Sequence, residues 1–278
     1  MKGDLRALDV RNKKVIVRVD FNVPLSKDFQ VTDDTRLRGA LPTIEYLVEK
    51  GAKIILVSHF ARPLAKLLPD GEIDRNKFSL RHVVPALSAL LGKEVAFFPE
   101  CVGEAVLQKT NELGSGDILL LENTRFHAGE EKGDPAMAAQ LASLGDIYIN
   151  DAFGAAHRAH ASTTVVANHF DAAHKAFGYL MQLELDNAKK VQIDPKHPYV
   201  AILGGAKVSD KILLIEALLD KADKIIIGGG MAYTFVKAQG GHVGNSLVED
   251  DKLELALELL AKAEKLGKPI VLPLDSIA

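Results

Sequence analysis

The sequence predicts an α/β fold with a mainly parallel sheet, divided into two parts. Three observations predict it: short apolar runs rich in Val and Ile, amphipathic helical stretches between them, and a change of style near residues 180–198. Continuously apolar runs of this length are typical of strands buried on both faces. Their alternation with helices implies right-handed βαβ units.

Taken in order, the strand-like runs of the first part are KVIVRVDF (14–21), KIILVSH (53–59), VAFF (95–98), DILLLEN (117–123) and DIYIND (146–151). The helical patterns among them include 37–51, stopped by Gly51, and 78–92. The stretch GYLMQLELDNAKKVQIDPKHP reads as one amphipathic helix followed by a proline-containing turn. It is taken as a connector, at about 180–194, between a domain over 1–180 and a second over 195–278. The second part supplies YVAILGG (199–205), KIIIGGG (224–230) and PIVLPLD (269–275), with helical patterns at 209–222 and 250–267.

Bulk composition excludes several function classes. The 278 residues carry a formal charge of −3, which argues against a non-specific nucleic-acid binder. A lone cysteine, Cys101, rules out an intramolecular disulfide and fits a reducing compartment. The N-terminus has no apolar signal core, and no run approaches the roughly 18 apolar residues of a membrane span. A cytoplasmic protein without membrane or nucleic-acid partners is therefore expected. Every arginine lies at or before Arg158, and beyond it the basic residues are Lys and His. Arginine is the planar, bidentate reader of phosphate and carboxylate.

In open α/β sheets ligands bind beyond the carboxyl ends of the strands. There the first part places Asp20 and Asn22, then His59 and Arg62, then Arg125, then His157, Arg158 and His160. Guanidinium and imidazole groups at three of these four strand ends predict a site for a phosphate or carboxylate. The small residues 154–156 would leave room for the ligand's approach. In the second part YVAIL runs into Gly204, Gly205, Lys207 and Lys211 at the start of a helix. Glycine amides and a helix N-terminus favour an anion, and the two lysines could hold a polyphosphate. A tight strand-to-helix turn explains the same residues. Gly228, Gly229 and Gly230 could present a flat slot for a nucleobase, or mark a close helix–strand crossing. The spacing is neither that of a P-loop nor GxGxxG, which disfavours a nucleotide-cofactor dehydrogenase.

The segments KVIVRVDFNVP, TRLRGALPTI, SHFARP, LLLENTRF, NDAFGAAHRAHAST, AILGGAKVSDKI and GGGMAYTF, in this order along the whole chain, strongly resemble phosphoglycerate kinases. The resemblance implies two Rossmann-like, doubly wound parallel-sheet lobes joined by a helix, the second lobe incomplete here. It implies phosphoryl transfer between 1,3-bisphosphoglycerate and ADP, giving 3-phosphoglycerate and ATP. By this resemblance Asp20, Asn22, Arg36, His59, Arg62, Arg125 and Arg158 bind the glycerate substrate. Arg36 and Lys207 would carry the catalysis. Gly204, Gly205, Lys207, Lys211, Gly228 and Gly229 would bind ATP or ADP with Mg²⁺, and no magnesium ligand is found in this chain. A monomer acting on small molecules is expected.

Two departures accompany the resemblance. Ala61 stands where the family usually has glycine. A methyl there costs little at negative φ but about 1 kcal/mol or more otherwise. The sequence also stops at PLDSIA, before the family's later phosphate loop and acidic ribose contact, so an alternative reading is a truncated chain that binds phosphoglycerate without turning over. The implied reaction is mostly positioning and charge stabilisation. His59, His157 and His160 are therefore read as ligands or orienters rather than proton carriers.

Overall fold

The structure, a computed structural model, describes residues 3–193 and 195–275. Asp194 of the predicted connector and the terminal residues 276–278 of the predicted second domain lie outside the described residues. Contacts divide the chain into two units, Met1–Leu185 and Asp186–Ala278.

Unit 1 is built on a six-stranded parallel sheet of β1 (Lys14–Arg18), β2 (Lys53–Val57), β3 (Ala96–Phe98), β4 (Ile118–Leu121), β5 (Ile147–Asn150) and β6 (Lys175–Phe177), in the order β3-β4-β2-β1-β5-β6. Side chains alternate between its faces. Val15, Val17, Ile54, Leu56, Ile118, Leu120, Ile147 and Ile149 form one core with Leu37, Ile44 and Leu47 of α1 (Thr35–Glu49) and Leu87 of α2 (Val84–Leu91). Ile16, Ile55, Leu119, Leu121 and Tyr148 form the other. That second face packs on Val106 of α3 (Glu104–Asn111) and on Met137, Ala138 and Leu141 of α5 (Pro135–Ala142), which follows the single turn α4 (Gly129–Lys132). Burial on both faces is what the unbroken apolar runs predict.

α6 (Tyr179–Gln192) carries the chain across the boundary between the units. In unit 2, β7 (Val200–Gly204), β8 (Lys224–Gly228) and β9 (Ile270–Val271) form a parallel sheet in that order. Ala201, Ile225 and Ile227 join Ile215 and Leu219 of α7 (Ile212–Leu219), Met231 and Phe235 of α8 (Met231–Ala238), and Leu259 of α9 (Leu253–Lys265) in one core. Among the described residues no helix is long and apolar enough to cross a membrane.

Several elements differ from the sequence reading in extent. The run at 269–275 contributes only the two residues of β9, because Pro273 has no amide to donate to a ladder. The helical patterns at 78–92, 209–222 and 250–267 each begin with a 3₁₀ turn before the α-helix sets in. β6, only three residues long and flanked by His174 and Gly178, was not singled out; too few residues alternate for its period to show.

Candidate active site

β4, β2, β1 and β5 are neighbours in the sheet, and all four are parallel. Their carboxyl ends therefore open on one edge. A cavity of about 370 Å³ lies there, lined by Asp20 and Asn22 after β1, His59, Ala61, Arg62 and Lys66 after β2, Arg125 after β4, and Gly154 and Arg158 after β5, with Arg36 and Phe78 completing the wall. The structure thus brings together Asp20, Asn22, Arg36, His59, Arg62, Arg125 and Arg158. Five cationic side chains face a single lining carboxylate, an arrangement suited to a small polyanion.

The loops are stitched so that these groups hold their places. Asn22 Oδ1 accepts the Ala61 amide at 2.8 Å, and Ser58 Oγ accepts the Phe21 amide at 2.9 Å. Fully buried Asn123 accepts the amides of Phe60 and Arg125 and donates to the carbonyls of Phe60 and Phe78. Arg36 sits in the first turn of α1, whose Thr35 amide is capped by Asp33. Its Nη1 pairs with Asp20 Oδ2 at 2.7 Å.

Arg125 is buried and donates from Nη1 to the Ala61 carbonyl at 2.6 Å. Its Nε lies 3.1 Å from Glu131 Oε1, out of line for a hydrogen bond, so Nε and Nη2 are buried without hydrogen-bond partners. Burial lowers its pKa, with the charges of Arg158 and Arg18 acting the same way and Glu131 opposing. An anion in the cavity would relieve this strain.

Beneath the cavity lies a charge that the sequence reading did not single out. Arg18 of β1 is fully buried. It donates from Nε to Ser162 Oγ at 2.7 Å and from Nη2 to His59 Nδ1 at 3.0 Å, with Glu130 at 3.9 Å. An arginine is always a donor, so His59 Nδ1 accepts and Nε2 carries the ring proton. Burial, then the charges of Arg18, Arg125 and Arg36, lowers the His59 pKa to about 2. His59 is a neutral donor, not a proton carrier. Its ring should remain the Nε2–H tautomer from pH 5 to 8 in nitrogen-resolved NMR; titration in that range would contradict this arrangement.

The other two histidines are placed differently. His157 is exposed and does not line the cavity. His160 is buried, 4.0 Å from Glu130, with Nδ1 lacking a hydrogen-bond partner. Of the small residues 154–156, Ala155 is packed in the interior and only Gly154 lines the cavity. A Cβ on Gly154 would stand 2.7 Å from Asp20 Oδ2, so the missing side chain makes room for Asp20 and its partner Arg36. Lys66, in the long connection after β2, and Phe78, at the start of the helical pattern 78–92, were not anticipated as lining residues.

Ala61 has φ of 52°, the left-handed region that disfavours a Cβ. Its amide and carbonyl are both engaged, by Asn22 and Arg125, which holds the strained turn in place. Ala61→Gly should raise stability by about 1 kcal/mol in urea unfolding; a loss would show that the turn is unstrained.

In unit 2, Gly204 ends β7, and it is exposed together with Gly205 and Lys207 beyond it. Gly228 ends β8, and Gly229 follows with φ of 68°. A Cβ on Gly229 would meet the backbone N and O of Gly205 at 3.0 Å, so a close backbone crossing accounts for this glycine. Lys211 stands at the N-terminus of α7. At the start of this helix, where the sequence suggests an anion, the amides of Val208 and Ser209 are instead taken by Glu249, at 2.6 and 3.1 Å. No local signal places a residue forty positions downstream on this turn. Burial raises the Glu249 pKa, but the hydrogen bonds from Ser209 and Val208 outweigh it and leave it lowered. The stabilisation is present above the usual glutamate value and lost as pH falls through the lower folded one. Glu249→Gln should cost about 1 kcal/mol at pH 7, and the difference should vanish in strongly acidic solution; a pH-independent cost would contradict a carboxylate cap.

A model of the phosphoglycerate kinase family matches residues 5–278. The chain belongs to the phosphoglycerate kinase family. It is 52% identical over 276 residues to the phosphoglycerate kinase of Pseudothermotoga lettingae, covering 99% of this chain and 67% of that one. It is likewise 52% identical over 275 residues to the chloroplastic phosphoglycerate kinase 1 of Arabidopsis thaliana, covering 55% of it. Among solved structures, the phosphoglycerate kinase of Coxiella burnetii superposes with a TM-score of 0.81 at 38% identity, over 97% of this chain and 65% of that one. The chain thus spans about two thirds or less of the length of these phosphoglycerate kinases.

Proposed function

We propose that the protein transfers a phosphoryl group between 1,3-bisphosphoglycerate and ADP, giving 3-phosphoglycerate and ATP, reversibly. The observation that carries this reading is Arg125: a buried guanidinium with unpartnered donors, set in a cavity of four arginines and one lysine against a single carboxylate. In this reading Arg62, Arg125 and Arg158 neutralise the phosphate and carboxylate of the glycerate, Asp20 and Asn22 hold its hydroxyl and backbone, and neutral His59 donates a hydrogen bond. Arg36 stabilises charge on the group in transit. The P–O bond to the acyl oxygen breaks as an oxygen of ADP bonds to phosphorus. Each attacking oxygen is already ionised, so no general base is required, and positioning with charge stabilisation is sufficient.

The glycine ends of β7 and β8 and the cations Lys207 and Lys211 would hold the nucleotide, with Lys207 meeting the transferring group. Magnesium binds nucleotides through their phosphates and one or two carboxylates and offsets phosphate charge. Among the described residues unit 2 gathers no cluster of three ligating side chains for it, and no step above depends on one. The experiment is a coupled assay of the purified chain. ATP consumption that requires 3-phosphoglycerate supports the proposal; no turnover in a chain that binds 3-phosphoglycerate contradicts the transfer reading.

A further inference from the structure

Outside the cavity, one group of side chains offers a different chemistry. Glu100, Cys101 and His127 each present a ligand atom, and these atoms all lie within 4.8 Å of one another. Sulfur, imidazole nitrogen and carboxylate oxygen form the mixed donor set of borderline-soft metals; magnesium and calcium prefer oxygen alone. From this geometry we infer that Glu100, Cys101 and His127 form a binding site for a zinc-type divalent cation.

The backbone holds the three residues in place without the ion. The segment after β3 is tied to the end of β4 by the Glu122 amide donating to the Glu100 carbonyl, and the Cys101 amide donates to Glu100 Oε1 at 2.9 Å. The His127 amide donates to Thr124 O, and its carbonyl accepts the Glu130 amide, both at 3.1 Å. Two loops separated in sequence are thus fixed side by side. His127 Nε2 lies 2.6 Å from Glu100 Oε1. A tetrahedral ion with bonds of about 2.0–2.3 Å holds its ligand atoms roughly 3.3–3.8 Å apart. Loading therefore requires this contact to open by about 1 Å and the sulfur to close in, which side-chain rotation can supply.

Access and coordination number fit the same ion. Cys101 is buried, while His127 and Glu100 are about one-third exposed. His127 also lines a surface cleft with Val102, Asp134, Met137 and Gln140. The ion would enter on the imidazole side and meet the sulfur behind it. Three protein ligands leave a fourth position for water. On coordination the thiol gives up its proton to solvent, as a metal-bound cysteine does. Arg75, 3.9 Å from Glu100, is half exposed and has its guanidinium over the Phe126 ring, 5.0 Å from the ring centre, so it remains as a neighbouring cation rather than a ligand.

The test is a titration of the untagged, reduced full chain with Co²⁺ as a spectroscopic stand-in, followed by Zn²⁺. The expected result is thiolate-to-cobalt absorption saturating at one equivalent and bleached by Zn²⁺, with millimolar Mg²⁺ unable to compete. Cys101→Ser should abolish the absorption, and His127→Gln should weaken Zn²⁺ binding at least tenfold. Should the serine variant fail to fold, Glu100→Gln, which keeps a hydrogen bond to His127, takes its place with the same expected loss of affinity. Absence of thiolate absorption in the native chain, or unchanged Zn²⁺ affinity in His127→Gln, overturns the inference.

Discussion

Arg18→Ala will destabilise unit 1 by about 3–5 kcal/mol, because it leaves Glu130 as a buried carboxylate without its counter-charge. Both side chains are fully buried. Glu130 would keep the Ser162 amide and hydroxyl, at 3.0 and 2.6 Å, but Ser162 Oγ would lose the Arg18 Nε donor. His59 Nδ1 would lose its partner as well, and with it the reason for its fixed tautomer. Stability and site geometry should therefore fail together. Urea unfolding followed by circular dichroism measures the first, and 3-phosphoglycerate affinity under native conditions the second. Replacing Arg18 and Glu130 together by Met and Leu should recover part of the stability, since the isolated charge is then gone. If the double variant is no better than the single one, the loss comes from the cavity and not from the charge.

Arg125→Ala will weaken 3-phosphoglycerate binding by about 1.5–3 kcal/mol, roughly ten- to a hundredfold, the range for hydrogen bonds to charged groups. Arg125 is the cavity wall's buried guanidinium, and its Nη2 has no partner in the protein. Arg36 is half exposed and already paired with Asp20, so its truncation should cost less in ground-state binding. Arg125→Lys should not restore affinity, because an ammonium cannot reproduce the planar fork that serves Ala61 O and the ligand at once. Calorimetric titration checks both variants; unchanged affinity in Arg125→Ala would remove Arg125 from the site.

The sheet and the site edge were legible because both depend on local pattern. Unbroken Val and Ile runs mark the strands. The residues just beyond each strand put Asp20, His59, Arg62, Arg125 and Arg158 on one rim once the order β4-β2-β1-β5 is known. Arg36 came from the family resemblance alone, since a helix start carries no sign of which cleft it faces. The features that sequence did not reveal are long-range. Asn123 clamps a loop sixty-three residues away, Glu249 caps a turn forty away, and Arg18 reaches a serine 144 residues on. A polar residue directly after an apolar strand, or an arginine within one, is the faint local trace of such contacts. The strain at Ala61 was flagged by an unusual residue, but only the backbone angle decides its sign.

If the carboxyl edge of the six-stranded sheet is the glycerate-phosphate site, the ligand must perturb that edge and no other. Backbone and arginine side-chain NMR during titration of the chain with 3-phosphoglycerate tests this most directly. Saturable shifts are expected at Asn22, Arg36, Ala61, Arg62, Arg125, Gly154 and Arg158, and none at the opposite edge near Asp146 and His174. Saturable shifts confined to residues away from this cavity, or none at all at millimolar ligand, would contradict the assignment.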